Sequence, residues 1–336
     1  MHKLCVMEGD GIGHEVIPPA VTVLQAVIPD LQTVPAEAGW DCFCEHGTSV
    51  PPQTLQKVRK CGSALFGAVS SPSKKVAGYR SAILTLRQEL GLYANLRPVF
   101  SLPHVSPRPG VDLLIVRENS EGLYAGRERV EGDTAIAERV ITRQASLRIG
   151  KCAAELALQR GQKHLTIIHK ANILPLTDGL FRDCVREAVA GVKGGSILTM
   201  DEMLVDSAAL RLIQDPQAFD VIVTTNLFGD ILSDLASYWM GGLSMAPSLN
   251  LGDGLALAEP VHGSAPDIVG RGIASPIAAI LSAAMLVRHA WGLEAQAERI
   301  ENAVNCALKE DLYDPAGVPV KGFSTRLALE SVLRWL

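Results

Sequence analysis

Two aspartates set four residues apart, Asp230 and Asp234, are the residues in this sequence most suited to chemistry. They lie in Asn226-Leu227-Phe228-Gly229-Asp230-Ile231-Leu232-Ser233-Asp234, directly after the β-branched run Phe219–Thr225. That run reads as a short buried strand. Phe228, Ile231, Leu232, Leu235 and Trp239 then recur at helical spacing and predict one apolar stripe. On such a helix the two carboxylates project one above the other. They repel, so stability alone gives no reason for the pair. A hard divalent cation with a preference for oxygen ligands gives one. Two solvated aspartates favoured by the dipole of a helix start are the alternative, and the segment by itself leaves both readings open.

Other residues widen the choice. Arg87, Arg97 and Arg117 each border a predicted turn or element end, and arginine suits bidentate grasp of planar carboxylates. Any one of them has a plain surface role as its alternative. Three together point to a substrate with several carboxylates. Lys170 closes an apolar strand, as a snorkelling cap or as a base with a lowered pKa. Tyr124 ends the polar turn Arg117–Tyr124 and suits a proton donor. Asp206 is a lone acid in an apolar surround and a possible third metal ligand. A base, an acid, a Lewis acid and carboxylate clamps are what oxidation and decarboxylation of a 2-hydroxy acid require.

The elements that must position these residues alternate between strand and helix, which is the α/β pattern. Strands are expected at Leu4–Met7, Ala64–Val69, Asp112–Val116 and Leu165–Lys170, besides the run before Asn226. Helices are expected at 16–27, 81–90, 145–160, 178–189, 203–214, 276–291, 293–308 and 326–333. The candidates Ser70, Ser71, Arg97, Arg117, Lys170 and Asn226 with Asp230 then fall just past the carboxyl ends of strands, where open α/β sheets bind ligands. The turn Glu8–Glu15 joins a strand to a helix, but position 14 is His14 where the dinucleotide fingerprint needs glycine. Three prolines within Ser101–Gly110 mark a domain crossing. The expected division is 1–100 plus 252–336 as a large cofactor domain, and 101–251 as a small domain with the metal and substrate residues and a subunit interface.

Composition narrows the class. With 336 residues the length suggests two domains, and 48% apolar and 20% charged residues are ordinary for a globular chain. A net charge of −5 argues against nucleic-acid binding through bulk positive charge. No apolar run has the length of a membrane span. The seven cysteines are scattered. Cys42 and Cys44 are close, but no second pair stands at zinc-site spacing, so reduced thiols in the cytoplasm are expected.

Ordered motifs now carry a resemblance that covers nearly the whole chain. They are Glu8–Gly13, Leu86-Arg87 with Tyr93–Pro98, Arg117-Glu118-Asn119 with Glu121–Tyr124, His169–Asn172, Asn226–Asp234, and Glu259–Asp267. The sequence resembles the β-decarboxylating dehydrogenases of isocitrate, 3-isopropylmalate and homoisocitrate. That resemblance implies a two-domain isocitrate/isopropylmalate dehydrogenase-like α/β fold without a standard Rossmann fingerprint. It implies Mg²⁺ or Mn²⁺ on Asp206, Asp230 and Asp234. It gives the substrate carboxylates to Arg87, Arg97 and Arg117, with Ser70, Ser71 and Asn172 as further substrate contacts. Lys170 would act at the hydroxyl and Tyr124 would protonate the enol. The dinucleotide would lie against Ile12, Ser70, Ser71, Asn172, Glu259, Ser275 and the loop His262-Gly263-Ser264-Ala265-Pro266-Asp267. Asp267 would take the ribose hydroxyls and repel a 2′-phosphate, so NAD is the expected cofactor. Ser275 stands where relatives usually carry Asn. A homodimer is implied, with Lys170, Asn172 and Asp206 reaching the partner's site, and a tetramer is left open.

Substrate choice is expected to lie between Ser70 and Arg87. The stretch Ser71–Tyr79 resembles homoisocitrate dehydrogenases. Ser81 matches the serine of isocitrate enzymes, but Ile83 replaces their asparagine. Leu84 replaces the arginine of some bacterial homoisocitrate enzymes and could receive an isopropyl group, but the loop before it is not that of isopropylmalate enzymes. Homoisocitrate is expected as substrate, in lysine biosynthesis by the α-aminoadipate route, with isocitrate secondary and 3-isopropylmalate as the alternative. A phosphoryl-transfer enzyme would need a Walker loop, which is absent. A non-catalytic regulatory subunit would usually have lost the lysine, tyrosine or aspartates, and all are kept.

Overall fold

The computed structural model describes residues 2–74 and 76–336. Lys75, in the loop that carries the homoisocitrate resemblance, lies outside the described residues. The chain forms two compact units. One comprises residues 1–92, 102–109 and 240–336, and the other 93–101 and 110–239.

In chain order the first unit begins with β1 (Lys3–Gly9), α1 (Gly13–Val27), β2 (Gln32–Pro35), α2 (Trp40–His46), α3 (Pro52–Cys61), β3 (Ser63–Ala68) and α4 (Ala82–Glu89). The second unit holds β4 (Ala94–Phe100), β5 (Asp112–Glu118), the ribbon β6 (Glu128–Glu131) and β7 (Thr134–Ala137), α5 (Arg143–Gln159), β8 (His164–His169), α6 (Thr177–Gly191), β9 (Thr199–Leu204), α7 (Val205–Gln214), β10 (Val221–Thr224) and α8 (Asn226–Ala236). The first unit closes with β11 (Pro247–Gly252), β12 (Leu255–Pro260), α9 (Ile277–His289), α10 (Glu294–Ala307) and α11 (Thr325–Trp335).

Within the first unit β1 pairs in parallel with β2 and β3, β3 with β12, and β12 runs antiparallel to β11. Every residue of β3 is buried, which its apolar run Ala64-Leu65-Phe66 requires in a strand covered on both faces. The unbroken burial of α9 from Ile277 to Val287 has the same origin, since its sequence is apolar all round. Within the second unit β10 lies between β5 and β8 in parallel, β9 extends β8, and β4 is antiparallel to β5.

Some expectations change. Met203 and Leu204 belong to β9, paired with Ile168 and His169, so the helix begins at Val205. The pairing of β4 with β5 over Ala94–Phe100 places those residues in the second unit, whereas a division at residue 100 keeps them in the first. The return to the first unit comes at Met240. Arg97 and Arg117 lie inside β4 and β5 and not beyond their ends. Among the described residues no helix is long and apolar enough to cross a membrane.

Candidate active site

In the second unit, the helix that carries Asp230 and Asp234 is α8, and both aspartates are held by arginines. Arg117 is buried. Its Nε and Nη2 donate to Asn226 Oδ1 at 3.0 and 2.7 Å, and its Nη1 donates to Asp230 Oδ1. Gly229 makes this possible, because a Cβ there would stand 2.6 Å from the Arg117 stem. Arg97 donates from Nε to Asn95 Oδ1 at 2.8 Å and from Nη1 to Ser233 Oγ at 2.9 Å and Asp234 Oδ1 at 3.0 Å. Its Nη2 lies 3.7 Å from Asp230 Oδ1. Tyr124 donates its hydroxyl to Asp230 Oδ2 at 2.5 Å. A buried charge needs partners of this kind, which is how two strands tolerate internal arginines.

The electrostatics follow the packing. Burial, with Asp230 adding to it, holds the Asp234 carboxyl above the usual carboxylate range, against the pull of Arg97 and Arg117. Burial and then the Asp230 carboxylate raise the Tyr124 phenol, so it stays protonated at neutral pH. A second pair forms elsewhere in the unit, where the Lys170 ammonium donates to Asp206 Oδ1. That bond lowers the Asp206 pKa. Asp206, Asp230 and Asp234 do not bring their oxygens within 4.8 Å of one another. The hard-oxygen donor set of Asp230 and Asp234 fits Mg²⁺ or Mn²⁺.

Sequence reasoning missed what sets Lys170. Its amide donates to Asp178 Oδ2 at 2.6 Å. Asp178 is fully buried, and its Oδ1 lies 2.7 Å from Arg139 Nη2. The same Nη2 donates to Thr225 Oγ1 at 2.9 Å, and the guanidinium stacks over Phe228 at 4.6 Å. Asp178 sits in the first turn of α6 and Arg139 just before α5. No local spacing links them. Asn172 is exposed in the turn after Lys170.

In the first unit the turn after β1 meets Ser70 and Ser264. The Ile12 amide donates to the Ser264 carbonyl at 3.0 Å, and Ser70 Oγ donates to Ser264 Oγ at 2.8 Å. Gly11 has φ of 57°, and a Cβ there would stand 2.3 Å from the Ser264 carbonyl. Asp10 ties the turn down by accepting from the amides of Trp40, Asp41 and Ser70 at 2.8, 3.0 and 2.7 Å. Glu15 holds the loop beyond Ser264 through the amides of Gly270 and Gly272. Ile12, Ser70 and Ser264 therefore share one place. Gly263 and Asp267 are exposed on the same loop, Ser71 is exposed after β3, and Ala265 takes a left-handed φ of 41°. His262 keeps a buried Nε2 without a partner, and burial lowers its pKa. An unused buried nitrogen on a loop that exposes Gly263 and Asp267 fits a nucleotide ligand. Ser275 Oγ accepts weakly from the Ile277 amide at 3.5 Å. Arg87 donates to Glu259 Oε1 at 2.8 Å, and Asn250 donates to the same oxygen at 2.8 Å. The Arg87 Nε is buried without a partner, which leaves one donor for an anion.

The sequence profile described as isocitrate/isopropylmalate dehydrogenase matches residues 3–319. This chain belongs to the isocitrate/isopropylmalate dehydrogenase family. It is therefore an oxidative, β-decarboxylating dehydrogenase. It is 54% identical to the isocitrate/homoisocitrate dehydrogenase of Thermus thermophilus, over 94% of this chain and 93% of that protein. It is 48% identical to the homoisocitrate dehydrogenase of Methanocaldococcus jannaschii, over 96% and 94%. The crystal structure of isocitrate dehydrogenase from Methylococcus capsulatus superposes with a TM-score of 0.92 at 38% identity, covering 100% of this chain and 99% of that one. Membership in the isocitrate/isopropylmalate dehydrogenase family accounts for the mostly parallel α/β fold.

Proposed function

We propose that this protein oxidises and decarboxylates homoisocitrate to 2-oxoadipate with NAD and Mg²⁺ or Mn²⁺, and that isocitrate is a secondary substrate. The reading of the chemistry is carried by one observation, that Tyr124 and Arg117 converge on the two oxygens of Asp230. A proton donor, a carboxylate clamp and a metal-type carboxylate thus lie within one hydrogen-bonded group. The names of the Thermus and Methanocaldococcus relatives support the substrate.

Asp230 and Asp234 would hold the metal together with Asp206 of the partner subunit, and when bound the metal would polarise the oxygen of the substrate's hydroxyl carbon. NAD, held by the Ile12, Ser70 and Ser264 cluster with Asp267 at its ribose, would accept the hydride. Arg97 and Arg117 bind and orient the substrate carboxylates, and the resemblance gives Arg87 the same role. The partner subunit's Lys170, once its ammonium has released a proton to solvent, takes the hydroxyl proton at Nζ as the neutral amine. Tyr124, kept protonated by burial and by Asp230, gives its proton to the carbon from which carbon dioxide has left.

A homodimer follows from the need for a partner's Asp206. The exposed apolar residues Leu210 and Ile213 on α7 and Ile231 on α8 support it. Ile231 is 56% exposed, although its spacing places it in the apolar stripe, and a subunit contact would cover it. Initial rates with homoisocitrate, isocitrate and 3-isopropylmalate, each with NAD or NADP and Mn²⁺, test the proposal through kcat/KM. Homoisocitrate with NAD is expected to rank first. A higher kcat/KM for 3-isopropylmalate, or for NADP over NAD, overturns the assignment.

A further inference from the structure

The first unit holds a second group of possible metal donors, unlike the aspartates in composition. Glu37 follows β2, while Cys42 and His46 stand four apart on α2 and so share a helix face. One carboxylate oxygen, the Cys42 Sγ and one imidazole nitrogen all lie within 4.8 Å of one another. His46 Nε2 is already 3.1 Å from Glu37 Oε2. Tetrahedral zinc with bonds of about 2.0–2.3 Å separates its ligand atoms by about 3.3–3.6 Å. The three donors therefore need shifts of roughly an ångström or less to meet one ion.

The scaffold around them is fixed. Asp10 holds the start of α2 through the amides of Trp40 and Asp41. Gly47 closes its end in the left-handed region, with its amide on the Phe43 carbonyl at 2.8 Å. The Glu37 carbonyl accepts from Thr54 Oγ1 at 2.8 Å, and Lys57 Nζ holds the Pro35 carbonyl at 2.7 Å. A cavity of about 290 Å³ reaches Cys42, and Glu8, Glu37, Asp41 and Glu45 line it. Burial, then the negative field of Glu37, Asp10 and Glu45, pushes the Cys42 thiol up to about 11. That field opposes a bare thiolate and favours a cation at the sulfur.

We propose that Glu37, Cys42 and His46 form a binding site for zinc or a similar borderline divalent cation. Thiolate with imidazole selects such ions, while an all-oxygen aspartate site selects harder ones. On binding, Cys42 loses its proton to solvent, the sulfur and the His46 nitrogen each give an electron pair, Glu37 gives an oxygen, and water completes four-coordination. The ion would clip the segment after β2 to the end of α2, whose start Asp10 already ties to Ser70.

Cobalt(II) added to the chelator-stripped, full-length protein tests this. A sulfur-to-cobalt charge-transfer band with tetrahedral visible bands, saturating at one equivalent, is expected. The band should persist in Cys44→Ser and in Asp230→Asn and vanish in Cys42→Ser. His46→Gln, at an exposed ring that folding does not need, should weaken the band's apparent affinity at least about tenfold. No band in the wild-type protein, survival of the band in Cys42→Ser, or an unchanged affinity in His46→Gln overturns the proposal.

Discussion

Arg139 and Asp178 make a buried pair whose removal has a calculable cost. Asp178 is fully buried and the Arg139 side chain is 14% exposed. Burial lowers the Arg139 pKa despite the attraction of Asp178. Desolvation therefore outweighs attraction, and the pair is a compensation more than a net gain. Replacing Arg139 with Met leaves the carboxylate buried, with the Lys170 amide as its remaining bond described above. Breaking such a pair costs about 3–5 kcal/mol. The surviving amide bond at 2.6 Å places this case near 3 kcal/mol, and the lost stacking on Phe228 adds at most about 1 kcal/mol. For the 336-residue chain that corresponds to a fall in melting temperature of roughly 5 °C. Arg139→Met/Asp178→Asn removes both charges and keeps an acceptor for the Lys170 amide. It should lie within about 1 kcal/mol of wild type. Calorimetry and urea unfolding of wild type, both single variants and the double variant complete the cycle. A loss under about 1 kcal/mol in Arg139→Met, or a double variant as unstable as the sum of the singles, refutes the compensation argument.

Other variants probe the chemistry. Tyr124→Phe should lower kcat by about 10²- to 10⁴-fold with little change in KM, read from initial rates; an unchanged kcat removes Tyr124 as proton donor. The Asp234 pKa is raised on folding, so its contribution to stability is present at low pH and is lost as pH rises through the folded value. Metal-free Asp234→Asn should then melt above wild type at neutral pH, yet show no stabilisation by Mn²⁺ in a thermal-shift assay. Mixing Lys170→Met with Asp230→Asn, each inactive alone, should restore about a quarter of wild-type activity after random reassembly, because half the dimers hold one intact site. No recovery, with mixed dimers demonstrated by mass, excludes a shared site.

What could be seen in the sequence is what depends on local spacing. The i and i+4 relation of Asp230 and Asp234 survives because one helix carries both. The turn from Glu8 to Gly13 was legible from its glycines and the strand before it. The hairpin of β11 and β12 was missed although Asp253-Gly254 is a strong turn signal. Strand β4 was missed for a physical reason, since Pro98 and two polar residues obscure it. Asn95 and Arg97 share one face of that strand, and Asn95 orients the guanidinium from two residues away. Arg97 and Arg117 lie inside strands and not just past their ends, because buried partners hold both guanidiniums. Their partners, Ser233 and Asn226, lie 136 and 109 residues away, where no local pattern reaches. The partnership of Arg139 with Asp178 escaped for the same reason.

The pairing of Arg97 and Arg117 with Asp234 and Asp230 has a consequence for ligand order. In the free protein two guanidiniums face two aspartates, so the group is near neutral. A substrate carboxylate must compete with those aspartates for the same donors. A divalent cation on the aspartates would withdraw them from that competition and leave the arginines for substrate. The two ligands should therefore bind cooperatively and, by linkage, reciprocally. Calorimetric titration of isocitrate with and without Mn²⁺ measures the coupling, and a difference of about 5- to 150-fold is the usual scale. Asp234→Asn, which relieves the competition at Arg97 without metal, should shrink it. Equal isocitrate affinity with and without Mn²⁺ would mean that the aspartates do not hold the arginines back.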